Sequence, residues 1–181
     1  LKLLGIQEEF ICFDTTGFRE SHESAYYLSR TGRRYRSWRK GAYAVGAKSQ
    51  MVLATGHGRG PGSDSVFLNL LKRKSSVWGK KERGRRAWLC LADSGFNGEG
   101  VSQLDIVPPI RREGNIVDAA RIARRELVDQ ARLDGVYGQR WKVETVISVI
   151  KRKFGDSIRS IKERLKDREV DIKGLVYAFH R

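Results

Sequence analysis

The sequence predicts an α/β domain, a mixed five-stranded sheet flanked by helices. Three observations predict it. FICFD at 10–14 and WLCLAD at 88–93 are short apolar runs of strand length, and each ends in an aspartate. AYAVGA at 42–47 and MVLAT at 51–55 are separated by Lys48, Ser49 and Gln50, the spacing of a hairpin. Beyond Asn115 the apolar residues recur at helical spacing instead.

The elements follow in order. FICFD reads as a buried strand with Asp14 at its carboxyl end, after which Thr15, Thr16 and Gly17 leave the sheet. Residues 18–41 are polar and irregular. The hairpin comes next, then the glycine-rich GHGRGPGSD, which lacks the lysine and spacing of a nucleotide-binding loop. His57, set among these glycines, reads as a loop residue. Ser63 or Asp64 caps a helix over 65–74. WLCLAD is a second buried strand, with Asp93 at its end and Ser94 and Gly95 breaking it. A short helix is expected over 98–103, and LDIVPP is an edge strand stopped by Pro108 and Pro109. Asn115 caps a helix over 116–133. A central helix spans Tyr137 to Phe154, and Ile158, Ile161 and Leu165 suggest a short amphipathic one. The tail DIKGLVYAFHR packs as a last helix.

The chain has 181 residues, enough for a single domain with a sizeable core, and shows no repeat or linker that would divide it. It begins at Leu1 without a methionine, as expected of a fragment lacking an N-terminal DNA-binding region. It carries 36 Lys+Arg against 21 Asp+Glu, a net charge of +15 and a pI near 10.2. A globular chain this basic is expected to meet nucleic acid. Two blocks concentrate the charge. In RTGRRYRSWRK, Arg30, Arg33, Arg34, Arg36, Arg39 and Lys40 interleave with Tyr35 and Trp38, suited to a loop facing DNA. Residues 72–86 hold eight basic residues and one acid, Glu82. Cys12 and Cys90 lie in apolar runs and read as buried core residues of a reducing compartment. There is no signal peptide and no apolar run long enough to span a bilayer.

The segment YGQRWKVETVISVIK, 137–151, organises the rest. Placed on a helix relative to Tyr137, Arg140 falls at about 300°, Glu144 at about 340° and Lys151 at about 320°. These polar groups share a stripe about 60° wide, while Val143, Val146, Ile147 and Ile150 take the adjoining face. A carboxylate, two cations and a phenol suit a metal on Glu144 and phosphates along Arg140 and Lys151. The plain alternative is a surface ion pair between Arg140 and Glu144 at i, i+4.

Tyr, two residues, Arg, three residues, Glu, six residues, Lys resembles the signature of the Asp-Asp-Glu (DDE) transposases of prokaryotic insertion sequences. FDTTGF at 13–18 and LADSGF at 91–96 look like that family's two aspartate motifs, and LVYAFHR resembles the end of its catalytic domain. The element order is similar to the ribonuclease H-like fold, in which the first and fourth strands lie side by side and parallel. The resemblance implies that Asp14, Asp93 and Glu144 are catalytic and bind two Mg²⁺ ions, with Mn²⁺ able to substitute. Three acids around one point repel unless cations bind, and all the ligands are hard oxygens. It implies that Tyr137, Arg140 and Lys151 hold DNA phosphates. It implies double-stranded DNA as partner, both transposon ends and target, a homodimer on that DNA, and a cytoplasmic, nucleoid-associated setting. Two departures stand out. About 50 residues separate Asp93 from Glu144, too few for the large β-rich insertion of some members. No helix-turn-helix reader precedes Asp14. Three other readings stay open: a non-transposing nuclease on the same fold, a catalytically silent DNA-binding remnant, and an unrelated basic RNA-binding module.

Overall fold

The fold is that of a computed structural model, which describes residues 5, 7–20, 29, 30, 32, 37–110 and 119–181. The strands are β1 (Phe10–Glu20), β2 (Trp38–Gly46), β3 (Val52–Arg59), β4 (Lys81–Glu82), β5 (Arg85–Arg86), β6 (Leu89–Leu91), β7 (Asp105–Ile106) and β8 (Ser157–Ile158). The helices are α1 (Leu68–Ser75), α2 (Ala119–Leu133), α3 (Trp141–Phe154) and α4 (Glu163–His180).

The main sheet runs β3-β2-β1-β6-β7, with β8 added alongside the far end of β1. The β1–β2 and β2–β3 pairs are antiparallel, whereas β1–β6 and β6–β7 are parallel, so the sheet is mixed as expected. It is a ribonuclease H-like arrangement with the strand of Asp14 beside the strand leading to Asp93. A separate two-stranded hairpin, β4–β5, was not legible as strands within its run of cations.

Side chains alternate across a strand, so the register divides the sheet into two faces. Asp14 is opposite Tyr43, and Tyr43 is opposite Thr55, on one face. Gly174 of α4 comes so close to this face that an added Cβ would sit 2.8 Å from both Tyr43 and Thr55. Helix α3 covers the same face, with Val143, Val146 and Ile150 buried. On the other face Phe13 packs against Trp88 and Phe96 at ring distances of 6.4 and 6.3 Å. There α1 and the preceding turn bring Phe67 and Leu70 onto Gly56. Helices thus flank both sides of a core in which Ile11, Cys12, Phe13 and Tyr43 are fully buried. Among the described residues, no helix is long and apolar enough to cross a membrane.

Several expectations are corrected. Asp14 stands within β1, not at its end, because β2 keeps pairing with β1 as far as Arg19 opposite Trp38. His57 belongs to β3 and hydrogen-bonds Asp171 at 2.9 Å through Nδ1. Residues 98–103 form turns. Gly100, at φ +89°, lies where a Cβ would strike Asn69, and Ser102 is drawn to Asp105. Tyr137–Arg140 is a 3₁₀ turn, and α3 starts only at Trp141. Ile158 pairs with Glu20 in the sheet, and α4 begins at Glu163. Ser63 does cap the turn entering α1, accepting the Ser65 N–H. Asn115, Ile116 and Arg33–Arg36 lie outside the described residues.

The first basic block is also corrected where it is described. Trp38, Arg39 and Lys40 are strand residues, and Arg39 and Lys40 are buried. Arg39 donates to Glu20 at 3.1 Å and Asp167 at 3.2 Å, and pairs with Glu163. Lys40 pairs with Asp64 at 2.5 Å. A buried cation needs such partners, and these two are paired with carboxylates inside the fold.

Candidate active site

Asp14 and Asp93 come together through strand register. Cys12 on β1 pairs with Leu91 on β6, and each aspartate lies two residues further along its own strand direction. A step of two along β1 keeps Asp14 on the side covered by α3, and Asp93, just past the end of β6, lies near enough for its charge to act on Asp14. β6 ends at Leu91 while β1 runs on, and this opens the sheet beside Asp14.

Each aspartate is held by the backbone. The Thr15 N–H donates to Asp14 at 2.8 Å. The Gly95 N–H donates to Asp93 at 2.9 Å, which makes Asp93 the cap of a 3₁₀ turn over Ser94–Phe96. A Cβ at Gly95 would lie 2.8 Å from the Asp64 carboxylate and 3.0 Å from that of Asp93, so a side chain there would have to displace Asp64.

The turn 137–140 ties α3 to both strands. Tyr137 donates its hydroxyl to the carbonyl of Ala92, next to Asp93, at 3.3 Å. The Cys12 thiol donates to the Gln139 carbonyl at 3.4 Å, a weak contact between this turn and β1. Burial pushes that thiol up to about 12, so it is inert. Glu144 follows one turn into α3, half exposed and ion-paired with Arg140. The Arg140 guanidinium is three-quarters buried and held well protonated by Glu144, Tyr137 and Asp14 despite its desolvation.

Asp14, Glu144 and Lys151 line one open cleft of about 550 Å³, together with Ser148, Arg152 and Asp156. Asp93 and Tyr137 adjoin it through the register and the Ala92 contact. Asp14 is pushed up to about 6, first by burial, then by the charges of Asp93 and Glu144, against the Thr15 amide and Arg140. The Lys151 ammonium, 5.6 Å from the centre of the Phe18 ring, is drawn below its ordinary value by burial. All six expected site residues therefore share one neighbourhood. Ser148, Arg152 and Asp156 were missed. Ser148 and Arg152 follow Glu144 at i+4 and i+8, so helical spacing could have found them; Asp156, beyond the Gly155 cap and paired with Arg19, left no local signal.

The chemistry of this donor set fits a hard divalent cation, with three carboxylates whose mutual repulsion a cation relieves. Among the described residues, no three potential ligands are gathered around a single point, and Glu144 is turned to Arg140.

One aspartate in β1 and another just past the end of the parallel β6, with the helix of a glutamate packed on the sheet beside them, define the nucleic-acid-processing class of ribonuclease H-like domains. The family described as Transposase DDE domain matches residues 5–179, and the chain belongs to that family. Its substrate is therefore DNA, and the family normally uses divalent metal ions. No curated protein and no solved structure matches the chain.

Proposed function

We propose that this domain cleaves DNA phosphodiesters and joins the freed strand to a target, as the catalytic domain of a prokaryotic insertion-sequence transposase. The observation that carries the reading is the register that sets Asp14 and Asp93 at equal steps beyond Cys12 and Leu91, under the helix of Glu144. Asp14, Asp93 and Glu144 would hold the cation. When bound, Mg²⁺ or Mn²⁺, as a pair of ions, supplies charge neutralisation and alignment for in-line attack on a phosphodiester.

The protein's own groups do the rest. The Thr15 and Gly95 amides fix the two aspartates and keep them from turning away. Arg140 offers a planar fork to a phosphate at the cleft, and Lys151 a point charge further along the same helix. Tyr137 adds its ring beside them, with its hydroxyl turned to Ala92. In this reading the domain works as a homodimer on duplex DNA, near the nucleoid in the cytoplasm, pairing element ends with a target.

The test is incubation of a plasmid carrying the element with its flanking DNA, with Mg²⁺ and labelled target. Cleavage at the element ends followed by strand joining supports the proposal. Cleavage without joining points to a nuclease on the same fold, and binding without cleavage to a silent remnant.

A further inference from the structure

The second basic block, residues 72–86, divides in the structure. Lys72 and Arg86 each reach the fully buried Asp105 at 2.6 Å. Lys74 donates to the Thr55 carbonyl at 2.7 Å, and Lys80 pairs with Glu9 at 3.2 Å. Apart from Arg73, exposed on α1, what remains lies in the β4–β5 hairpin. Lys81, Arg83 and Arg85 are exposed and, among the described residues, make no side-chain hydrogen bond or ion pair.

The hairpin turns through Arg83 at φ 48° and Gly84 at φ 77°. Two successive left-handed residues make the tight turn for which asparagine then glycine is the favoured pair. Gly84 fits, but an arginine pays for this conformation, and its exposed side chain gains nothing from the fold in return. Register adds a second point. Lys81 is opposite Arg86 and Glu82 opposite Arg85, so Lys81 and Arg85 leave opposite faces of the ribbon. The hairpin thus carries one free cation on each face and one at its tip. A two-stranded ribbon seated in a groove of a duplex meets a phosphate strand on either side.

We infer that the β4–β5 hairpin is a duplex-DNA contact that enters a groove, with Arg83 leading and Lys81 and Arg85 on the flanking phosphates. This rests on the transposase reading and adds a surface to it. The hairpin joins the sheet at Gly79, bridged to Glu8. Glu8 is about 20 Å from Asp14 along an extended strand, so this contact is separate from the cleft.

Arg83→Asn, and a triple variant adding Lys81→Gln and Arg85→Gln, test it by titration of a labelled 30-base-pair duplex at several salt concentrations, with thermal melting alongside. Arg83→Asn is expected to melt about 2 °C higher, because asparagine suits the turn, while binding about fivefold more weakly. The logarithmic salt slope should fall by about one in the single variant and by about two to three in the triple. Unchanged affinity and slope in the triple variant would overturn the hairpin contact, and the transposase reading would stand so long as the unaltered domain binds and cleaves duplex. Weaker binding with a lowered melting temperature would make Arg83 structural and overturn the proposal too. Failure of the unaltered domain to bind duplex would sink both.

Discussion

Asp14 and Asp93 stand two residues beyond Cys12 and Leu91, a matched pair on neighbouring parallel strands, Asp14 still within β1 and Asp93 in the turn just past β6. Burial first, and then the charges of Asp93 and Glu144, raise the Asp14 carboxyl to about 6 from an ordinary 3.8. Between those values the folded chain keeps a proton that the unfolded chain has lost. Asp14 therefore favours the fold fully below about pH 4, and that stability is lost as pH rises through about 6.

Asp14→Asn should accordingly stabilise the domain at pH 7.5 and leave it unchanged at pH 4. The ionised carboxylate costs on the order of 3 kcal/mol, so melting should rise by roughly 5–10 °C at the higher pH. Cleavage should be lost at the same time. Mg²⁺ or Mn²⁺ should raise the melting temperature of the unaltered domain and not of the variant. Equal melting at pH 7.5 without metal would show that Asp14 carries no such burden.

Arg140→Lys separates a structural ion pair from a phosphate ligand. The pair with Glu144 is half exposed on the glutamate side, and such pairs contribute about 1 kcal/mol or less. Lysine would restore the charge but not the planar fork. The expected outcome is a melting temperature within about 2 °C and single-turnover cleavage at least about tenfold slower. A rate equal to the unaltered domain would return Arg140 to helix stabilisation.

Tyr137→Phe asks where the phenol spends its proton. Loss of the bond to the Ala92 carbonyl should cost about 1 kcal/mol and slow cleavage by loosening Asp93, with duplex affinity unchanged. Weaker DNA binding with unchanged melting would instead show that the hydroxyl serves a phosphate.

Asp105→Asn should be the most damaging of these changes. Asp105 is fully buried between Lys72 and Arg86 and also accepts the Ser102 N–H at 2.7 Å. Breaking a buried cluster of this kind costs about 3–5 kcal/mol, equivalent to melting roughly 10 °C lower. Lys72, the Ser102 amide and Arg86 hold its carboxyl below the ordinary value against burial. Its contribution is present above the unfolded pKa and is lost as pH falls through the folded one, the opposite sense to Asp14.

Local pattern pointed to the candidate residues more readily than to the way the chain positions them. The β2–β3 hairpin, the Ser63 cap, the strand of Cys90 and the buried face of α3 each follow from neighbouring residues, and so they were legible. The continuation of β1 through Thr15–Glu20 was not, because it depends on pairing with β2 some twenty residues on. Arg39 looked like a free cation because its partners Glu20, Glu163 and Asp167 lie 19, 124 and 128 residues away. Charge is visible in a sequence, but the partner that neutralises it is not. The same holds for Tyr137, whose link to Ala92 exists only once the 3₁₀ turn sits on the sheet.

The most direct measurement is a crystal of the domain with duplex DNA and Mn²⁺, read for anomalous scattering. Mn²⁺ density is expected bound by Asp14 and Asp93, with Glu144 released from Arg140 and completing the site. Ordered Mn²⁺ elsewhere on the DNA, with no density between these carboxylates and Glu144 still paired to Arg140, would contradict it.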